Sequence, residues 1–470
     1  MIQQVAARAA LHNGASKISP RLIASEIVGR KRVSESGVSM KRPKIAIEST
    51  TLGNGLRVVV APDRAAPVVT VGVYYKIGSR LEHRGKSGFA HLFEHLMFQG
   101  SANAPRMQHA KIINSSGGKF NASTSYDWTS YFEALPSNAL DRALWLEADR
   151  MRALRVDVGS LSNQRDVVKE EVRSNVLNQP YGSFPWLDMP RVAFRNWANA
   201  HSLYGDFEDL DAAELQDVQA FFRTYYLPNN AILLILGDVS SEEAVAMSMK
   251  YFGDIPAGPR PHFPDTAEPE QTEERCGCVE EKFAEVPALA IGYLMPKRRT
   301  TDWCAMALLD HLLHGGKAAR VNRNLVEEMQ IALDAQGGID DLFGYDRPSQ
   351  MTTQIRHRPE VSSQAVLAAF DSMIHEVQQD GVTQQETELA KIKWQSTYFS
   401  RLEAGAAHMP RFGLMHLLAC FTLFDGEPQL VNTILDEFLE VSRENLLEAA
   451  RKYLRKENRA IVYRVPTERP

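Results

Sequence analysis

The chain has 470 residues, of which 44% are hydrophobic and 24% are charged, and its net charge is −5. This length exceeds what one hydrophobic core usually supports, so we expect two or more domains. The mild negative charge gives no reason to expect nucleic acid or an anionic membrane as a partner. The longest apolar runs, at 231–236 and 417–423, are far shorter than the roughly 20 residues of a transmembrane helix.

The first 45 residues differ in character from the rest of the chain. They carry scattered Arg and Lys among small residues, without sustained periodicity and without the apolar centre of a secretory signal. We interpret 1–45 as a disordered basic extension, with ordered structure beginning near Met40. A weak amphipathic, Arg-bearing pattern keeps organelle targeting open. The compartment stays open as well, with bacterial cytoplasm or periplasm favoured over a mitochondrial matrix.

The pattern of elements indicates that the chain is built twice. Each half opens with strands and closes with a helix, a polar turn and an apolar strand, and Tyr226-Leu227 and Tyr453-Leu454 hold matching places. The predicted elements are strands at 56–61, 67–75, 231–236, 287–294 and 459–463, and helices at 217–226 and 446–454. This plan predicts an α+β fold of two homologous lobes, each an antiparallel-rich sheet covered by helices, arranged as a clam shell.

A proline-rich stretch separates the two halves. Five prolines stand between residues 255 and 269, followed by an acidic run, which is typical of an extended linker. We therefore predict a first lobe at 46–254, a linker at 255–280 and a second, homologous lobe at 281–470. Cys276 and Cys278 form an isolated C-x-C of open role, whereas Cys304 and Cys420 lie among apolar residues and are expected to be buried.

The most informative segment runs from Gly88 to Gly100 and contains His91-Leu-Phe-Glu94-His95. Helix-forming residues surround the two histidines, so the segment is predicted to be a helix ending near Gly100. On a helix, His91 and His95 lie one turn apart on the same face. Two imidazoles at this spacing can bind one Zn²⁺, with Glu94 placed to activate water; this is the inverted zinc-peptidase order.

A catalytic zinc ion needs a third protein ligand, and the segment 164–176 offers one. Its valines at every fourth position define a buried helix face. Glu171 lies at the edge of that face, whereas Glu170 points into solvent, so the pattern selects Glu171. Gln164 lies two turns earlier on nearly the same side, where it could orient the ligands.

The segments Gly78–Glu82 and Gly88–Ser101 together resemble the pitrilysin/insulinase (M16) family of zinc metallopeptidases. The similarity is greatest to the branch of the mitochondrial processing peptidase β subunit and bacterial two-subunit homologues, and it covers about residues 46–465. In that family a glutamate about 76 residues beyond the second histidine completes the zinc site, and Glu171 stands at that distance from His95. The resemblance also implies that Asn121, Ala122, Ser123 and Thr124 form an edge strand that binds substrate backbone.

Two positions depart from the family pattern. Gln164 stands where the family often has a glutamate. Val326 and Leu333 align with the Arg and Tyr through which self-paired members bind substrate, and neither can donate a hydrogen bond to an oxyanion. The resemblance therefore implies a zinc-dependent endopeptidase subunit, with one Zn²⁺ per chain and an Arg/Tyr-bearing homologue as heterodimeric partner. A self-sufficient homodimeric peptidase, a non-catalytic structural subunit and a peptide-binding module stay open.

Overall fold

The computed structural model describes residues 42, 44–346, 348–405 and 409–467, and in this part of the chain the strands form two sheets. The predicted extension over 1–45 lies outside the described residues, apart from 42, 44 and 45. The described chain from Ile47 onward forms one compact unit. Both lobes and their contacts with each other belong to that unit.

The six-stranded sheet belongs to the first half of the chain and the five-stranded sheet to the second half. The strands of the first sheet are β1 (Glu48–Thr51), β2 (Arg57–Pro62), β3 (Val68–Tyr75), β4 (Lys119–Thr124), β5 (Thr129–Pro136) and β6 (Ala231–Gly237). Those of the second are β7 (Arg275–Glu281), β8 (Ala288–Leu294), β9 (Ala332–Ile339), β10 (Gln350–His357) and β11 (Arg459–Pro466). The strands predicted from the sequence at corresponding places are present, with bounds that differ by a few residues.

The two sheets share one topology. The first has the order β1-β2-β6-β3-β5-β4 and the second β7-β11-β8-β10-β9. In each sheet one pair is parallel, β2 with β6 and β7 with β11, and every other pair is antiparallel. The strands β7, β11, β8, β10 and β9 therefore take the places of β2, β6, β3, β5 and β4. This match confirms the α+β fold of two homologous lobes in an antiparallel-rich clam shell.

A side-chain contact repeats along with the topology. Asn230 Nδ2 donates to the carbonyl of Tyr225, at 2.8 Å, where the helix before β6 ends. Asn458 Nδ2 donates to the carbonyl of Tyr453, also at 2.8 Å, at the end of the helix before β11. The polar turns that separate helix from strand in the sequence thus satisfy the last helical carbonyls in the same way.

Helices cover both sheets. Those of the first half are α1 (Phe89–Leu96), α2 (Gln108–Ser115), α3 (Leu140–Arg152), α4 (Val158–Val172), α5 (Asp188–Ala193), α6 (Trp197–Ala200), α7 (Phe207–Asp211), α8 (Leu215–Tyr225) and α9 (Ser241–Phe252). Those of the second half are α10 (Thr301–His314), α11 (Arg320–Asn322), α12 (Ser363–Asp380), α13 (Gln384–Glu403), α14 (Phe412–Cys420), α15 (Ile434–Leu439) and α16 (Arg443–Tyr453). Many begin at a Ser, Thr or Asp whose side chain accepts a backbone N–H of the first turn, as at Ser240, Thr300, Ser362 and Thr383.

Each half contributes a helix that packs on the sheet of the other half. Helix α14 of the second half packs on β3 and β6, so closely that a Cβ on Gly72 would lie 2.6 Å from Met415 Sδ. Helix α5 of the first half packs on β11 and shares a buried apolar cluster with it. Arg464 on β11 also forms a buried ion pair with Asp188 on α5, at 2.7 Å. These contacts hold the two lobes together in addition to the linker.

The predicted linker ends in regular structure. Residues 256–272 form neither helix nor strand, whereas 275–280 lie in β7, which pairs in parallel with β11. Exposed and half-buried residues alternate along the middle of β7, so its sequence lacks the apolar run of a central strand. Cys276 and Cys278 lie exposed on this strand, and Cys304 and Cys420 are buried as expected. The limits of the predicted domains remain a prediction.

Among the described residues, no helix combines the length and the apolar character needed to cross a lipid bilayer.

Candidate metal centre

Helix α1 places two histidines on one buried face. It runs from Phe89 to Leu96 and is shorter than the predicted helix. The chain leaves the helix before Gly100, whose φ is +128°. The rings of His91 and His95 have centroids 5.0 Å apart and are nearly perpendicular. Both side chains are buried, as expected for residues one turn apart on an inward face.

Helix α4 brings Glu171 to these histidines. Asp157 begins the helix with a reciprocal capping box involving Ser160. Val168 and Val172 are buried in the core below, and this orientation turns Glu171 toward α1. Its neighbour Glu170 is two-thirds exposed and bonds to Ser174 instead. Glu171 thus faces the histidines and Glu170 faces solvent, and the role of Glu171 as a ligand remains a prediction.

The three side chains fit a single divalent cation. His95 Nε2 lies 3.3 Å from Glu171 Oε2, and His91 Nε2 lies 4.0 Å from Glu171 Oε1. One ligand atom from each residue falls within 4.8 Å of the other two, and bonds of about 2.0–2.2 Å would span such separations. Within the described residues, His95 Nε2 and Glu171 Oε2 are buried without a hydrogen-bond partner. Buried polar atoms normally have a partner, so a bound cation would satisfy this pair.

The protonation states also suit metal binding. Burial, with a smaller effect from His95, lowers the pKa of His91 to about 3, so its imidazole is neutral at physiological pH. Burial alone would raise the pKa of Glu171, but the neighbouring His95 and His91 outweigh it and hold this pKa below its ordinary value. Neutral imidazoles and an ionised carboxylate are the forms that bind Zn²⁺.

Glu94 lies next to His95 and is half-buried. Burial raises the pKa of Glu94, and His95 and the Thr124 hydroxyl partly offset that rise. A raised pKa is what a carboxylate needs to accept and return a proton near neutral pH. Thr124 also lies against α1, with its hydroxyl 3.5 Å from the carbonyl of Ala90.

The segment Asn121–Thr124 lies in β4, the edge strand of the first sheet. Ala122 is buried and its N–H donates to the side chain of Asn121, whereas Asn121, Ser123 and Thr124 are half-buried. The contact of Thr124 with α1 brings one end of this edge to the metal centre. The structure thus shows an edge strand beside the site, and substrate binding there remains a prediction.

Three other residues named from the sequence lie outside the cluster of His91, His95 and Glu171. Gln164 is buried on α4, and its amide donates to Asn163 Oδ1 at 2.8 Å, so its orienting role stays a prediction. Val326 is half-buried in a π-helical turn at Arg323–Glu328. Leu333 lies on the edge strand β9 with 45% of its surface exposed.

Tyr204, Glu82 and His201 surround the start of α1 and were not among the site residues predicted from the sequence. The ring of Tyr204 packs edge-on against His91, with centroids 4.9 Å apart. Glu82 accepts hydrogen bonds from the backbone at the start of α1, and His201 contacts Glu82. Two signals were available: Glu82 ends a segment that resembles the M16 family, and Gly88 has no side chain to cap the helix and so requires an acceptor from elsewhere. No local pattern marked Tyr204 or His201, which lie more than 100 residues away.

A second His–Glu–Glu cluster lies in the core of the first lobe, at His109, Glu133 and Glu147. Here Arg150 occupies the carboxylate of Glu147, donating through Nε at 3.0 Å and through Nη2. Burial, together with the charge of Glu147, raises the pKa of Glu133 well above its ordinary range. A proton and a guanidinium therefore neutralise this cluster, and a cation there would be repelled by Arg150. Of these two clusters, the one at His91 therefore suits a metal ion better, and metal binding there remains a prediction.

Comparison with known proteins agrees with this fold. Residues 57–195 match the family model described as "Insulinase (Peptidase family M16)". Residues 212–393 match the model described as "Peptidase M16 inactive domain". His91, Glu94, His95 and Glu171 all lie within the first match.

Individual relatives extend the match over most of the chain. The zinc protease PqqE of Helicobacter pylori is 30% identical over 434 residues, which cover 89% of this chain and 93% of that protein. A probable mitochondrial-processing peptidase subunit beta of Arabidopsis thaliana is 27% identical over 210 residues, covering 45% of this chain and 39% of that protein. The crystal structure of a protease from Helicobacter pylori superposes with a TM-score of 0.81 at 28% identity, covering 90% of this chain and all of that one.

The fold and the relatives thus define a two-lobed α+β protein of the class that includes zinc proteases. The chain belongs to peptidase family M16.

Proposed function

We propose that this chain is the zinc-bearing subunit of a metalloendopeptidase that hydrolyses extended peptides or unfolded segments. One observation carries the proposal: His91, His95 and Glu171 converge on one point with Glu94 beside them. Three protein ligands leave an open position on a tetrahedral zinc ion, which is the arrangement of catalytic sites. The relative PqqE bears the name of zinc protease and covers nearly the same length.

The residues divide the chemistry between them. Zn²⁺ held by His91, His95 and Glu171 supplies Lewis acidity, which acidifies water and polarises a peptide carbonyl. Glu94 accepts the proton of the attacking water and returns it to the leaving amine, a task that its raised pKa favours. The burial of both histidines limits access of bulk water, which strengthens the electrostatic interactions within the site.

The proposed substrate lies as an added strand beside β4. One side of β4 pairs with β5 and the other is the edge of the sheet, so an extended peptide can form main-chain hydrogen bonds there. Such bonds depend little on side chains and give affinity with broad sequence tolerance. Compact folded proteins cannot present a free strand, and the chain would therefore act on peptides or unfolded segments.

We further propose that a homologous partner supplies the Arg and Tyr that this chain lacks. The aliphatic side chains of Val326 and Leu333 stand at the aligned positions and offer no donor to a developing oxyanion. The similar Arabidopsis protein is named as a subunit, which supports a two-subunit arrangement for this chain. The M16 inactive-domain match over 212–393 fits a second half without a metal site.

Cleavage of a quenched fluorescent peptide tests the proposal, with the purified chain alone and mixed with an Arg/Tyr-bearing homologue. Activity only in the mixture, abolished by a zinc chelator, is the expected result. Full activity of the chain alone would instead show a self-sufficient peptidase. In the active preparation, Glu94→Gln should retain zinc and lose at least about 100-fold in kcat. An active Glu94→Gln variant would remove Glu94 from its proposed role, and a wild-type chain without zinc would favour a structural subunit.

A further inference from the structure

The helix that carries the two histidines begins without a capping side chain of its own. Gly88 precedes α1 with φ +82°, and a Cβ at this position would lie 2.6 Å from the carbonyl oxygen of Tyr204. Only glycine fits such a backbone conformation at that distance without strain. The first N–H groups of a helix have no partner within it, so they need an acceptor from another part of the chain.

Glu82 is that acceptor. Its Oε2 accepts the N–H of Gly88 at 2.8 Å, and its Oε1 accepts the N–H of Ala90 at 2.6 Å. The side chain is fully buried, so neither bond competes with bulk water. Both oxygens thus hold the backbone just before His91, and the negative charge lies at the positive end of the helix.

His201 gives Glu82 a buried counter-ion. Its Nδ1 lies 2.8 Å from the carbonyl of Trp197, and its Nε2 lies 3.3 Å from Glu82 Oε2. Both ring nitrogens face acceptors, and only the doubly protonated imidazolium can donate from both. The ring stacks on Trp197 with centroids 4.0 Å apart and planes 4° apart, which fixes its orientation.

We propose that Glu82 and His201 form a positioning pair that fixes the start of α1 and thereby holds the imidazole of His91 in register with Glu171. The inference rests on the proposed zinc site. His91 directly follows Ala90, whose N–H is held by Glu82, whereas His95 lies one turn further on. A relaxed helix start therefore displaces His91 more than His95 and spoils a three-ligand geometry that needs all donors within a few tenths of an ångström.

The test uses Co²⁺ in place of zinc, because its visible absorption reports coordination geometry independently of peptidase activity. In Glu82→Gln the isosteric amide keeps one acceptor but turns its NH₂ toward the other backbone N–H. We expect Co²⁺ affinity to fall about 10–100-fold, as for other groups that orient ligands, with a changed absorption spectrum. His201→Phe keeps the stacking on Trp197 and removes both donors, so a smaller change in the same direction is expected even if Glu82→Gln fails to fold.

Asp188→Asn is the matched control, because it removes one partner of another buried ion pair, with Arg464, away from the metal centre. It should lower the melting temperature while leaving the cobalt spectrum and affinity unchanged. Folded Glu82→Gln and His201→Phe variants with wild-type affinity and spectrum would overturn the positioning role and leave the zinc site intact. A wild-type chain that binds neither Co²⁺ nor Zn²⁺ would overturn the proposed function, and this inference with it.

Discussion

Glu171 Oε2 lies 3.3 Å from His95 Nε2, although 76 residues separate the two along the chain. Glu170, the residue next to Glu171, faces solvent and bonds to Ser174. The two adjacent glutamates thus have opposite surroundings on one helix. Because they share chemistry and local sequence, they form a matched pair for testing the metal centre.

Glu171→Gln should weaken zinc binding by more than about 100-fold, beyond the typical effect of residues that only orient ligands. A neutral amide is a poorer zinc ligand than an ionised carboxylate, and it leaves two neutral imidazoles to hold the ion. Glu170→Gln should bind zinc like the wild type. Zinc content after dialysis against a graded chelator measures both variants. Equal loss in the two variants, or none in either, would contradict the assignment of Glu171.

The fold could be predicted to a large extent from local patterns. The run Ala231–Gly237 is apolar at nearly every position and is buried throughout, so periodicity and composition agreed. Most of strand β7 was instead assigned to the linker, because it follows directly on the proline-rich stretch and the acidic run. Its pairing with β11 brings together residues nearly 200 positions apart, and no local pattern contains that information.

The residues around the candidate site likewise include some that local patterns predict and some that only tertiary contacts reveal. His91, Glu94 and His95 were predicted from their spacing on one short helix and Glu171 from the wheel of its own helix. The structure brings His91, His95 and Glu171 together, and their roles remain predictions. Glu82 and His201 act through a contact between distant segments, across 119 residues. Such a contact depends on tertiary packing, so the sequence offered only the uncapped Gly88 and the family resemblance of Gly78–Glu82 as indications.

The edge strand gives a prediction about substrate. If a peptide adds to β4, its own backbone N–H groups donate to this edge, and methylating them removes those bonds. Peptides N-methylated at alternate residues on the side facing β4 should show a KM raised about 10-fold or more, since each lost hydrogen bond costs about 1 kcal/mol. Methylation at the intervening residues is the control and should have little effect. The same KM for both series would argue against strand addition.

The buried cluster of Glu133, Glu147 and Arg150 gives a prediction about stability. Glu133 has a pKa well above its ordinary range, chiefly through burial, so it binds a proton more tightly folded than unfolded. Its contribution to stability therefore falls as pH rises above its unfolded pKa of about 4.3. Glu133→Gln mimics the protonated form and should match or exceed wild-type stability at pH 7–8.

Glu147→Gln should have the opposite result, because it removes the carboxylate that accepts both Arg150 bonds. Leaving the buried guanidinium without its partner costs about 3–5 kcal/mol. Urea unfolding of both variants at pH 7.5 measures the difference. A Glu133→Gln variant as unstable as Glu147→Gln would show that both carboxylates are ionised in the folded protein.

A half-buried ion pair of the second half packs against the first sheet. His416 on α14 lies 2.7 Å from Asp341 Oδ2 through Nε2 and 3.2 Å from the hydroxyl of Tyr74 on β3 through Nδ1. The Cys420 sulfur lies 3.5 Å from its Nε2, and Arg401 lies 3.9 Å from Asp341. The imidazole thus connects the first sheet with the segment after β9.

The pKa shifts of His416 and Asp341 define the pH range over which their ion pair stabilises the fold. Burial alone would lower the pKa of His416, but Cys420, Asp341 and Tyr74 together raise it well above 6.5. Burial would raise the pKa of Asp341, but His416 lowers it to about 2. The stabilisation from His416 is complete below about pH 6.5 and is lost as pH rises through its folded pKa. The stabilisation from Asp341 is present above about pH 4 and is lost as pH falls toward 2.

His416→Gln should therefore lower the free energy of unfolding at pH 6–7 by about 2 kcal/mol or more. This lies below the 3–5 kcal/mol of a fully buried pair, because a quarter of the Asp341 side chain is exposed. The deficit relative to wild type should shrink as pH rises, since the wild-type imidazolium itself loses its proton. Urea unfolding at pH intervals from 6 to 10 measures this convergence.

His311→Gln is the matched control, because burial lowers the pKa of His311 and keeps its ring neutral beside Thr397. A histidine that is already neutral has no proton to lose, so its variant should differ from wild type by a constant amount above pH 7. If the His416→Gln deficit also stays constant up to pH 10, His416 is neutral in the folded protein. Its bond to Asp341 would then contribute only as an ordinary hydrogen bond within the second half.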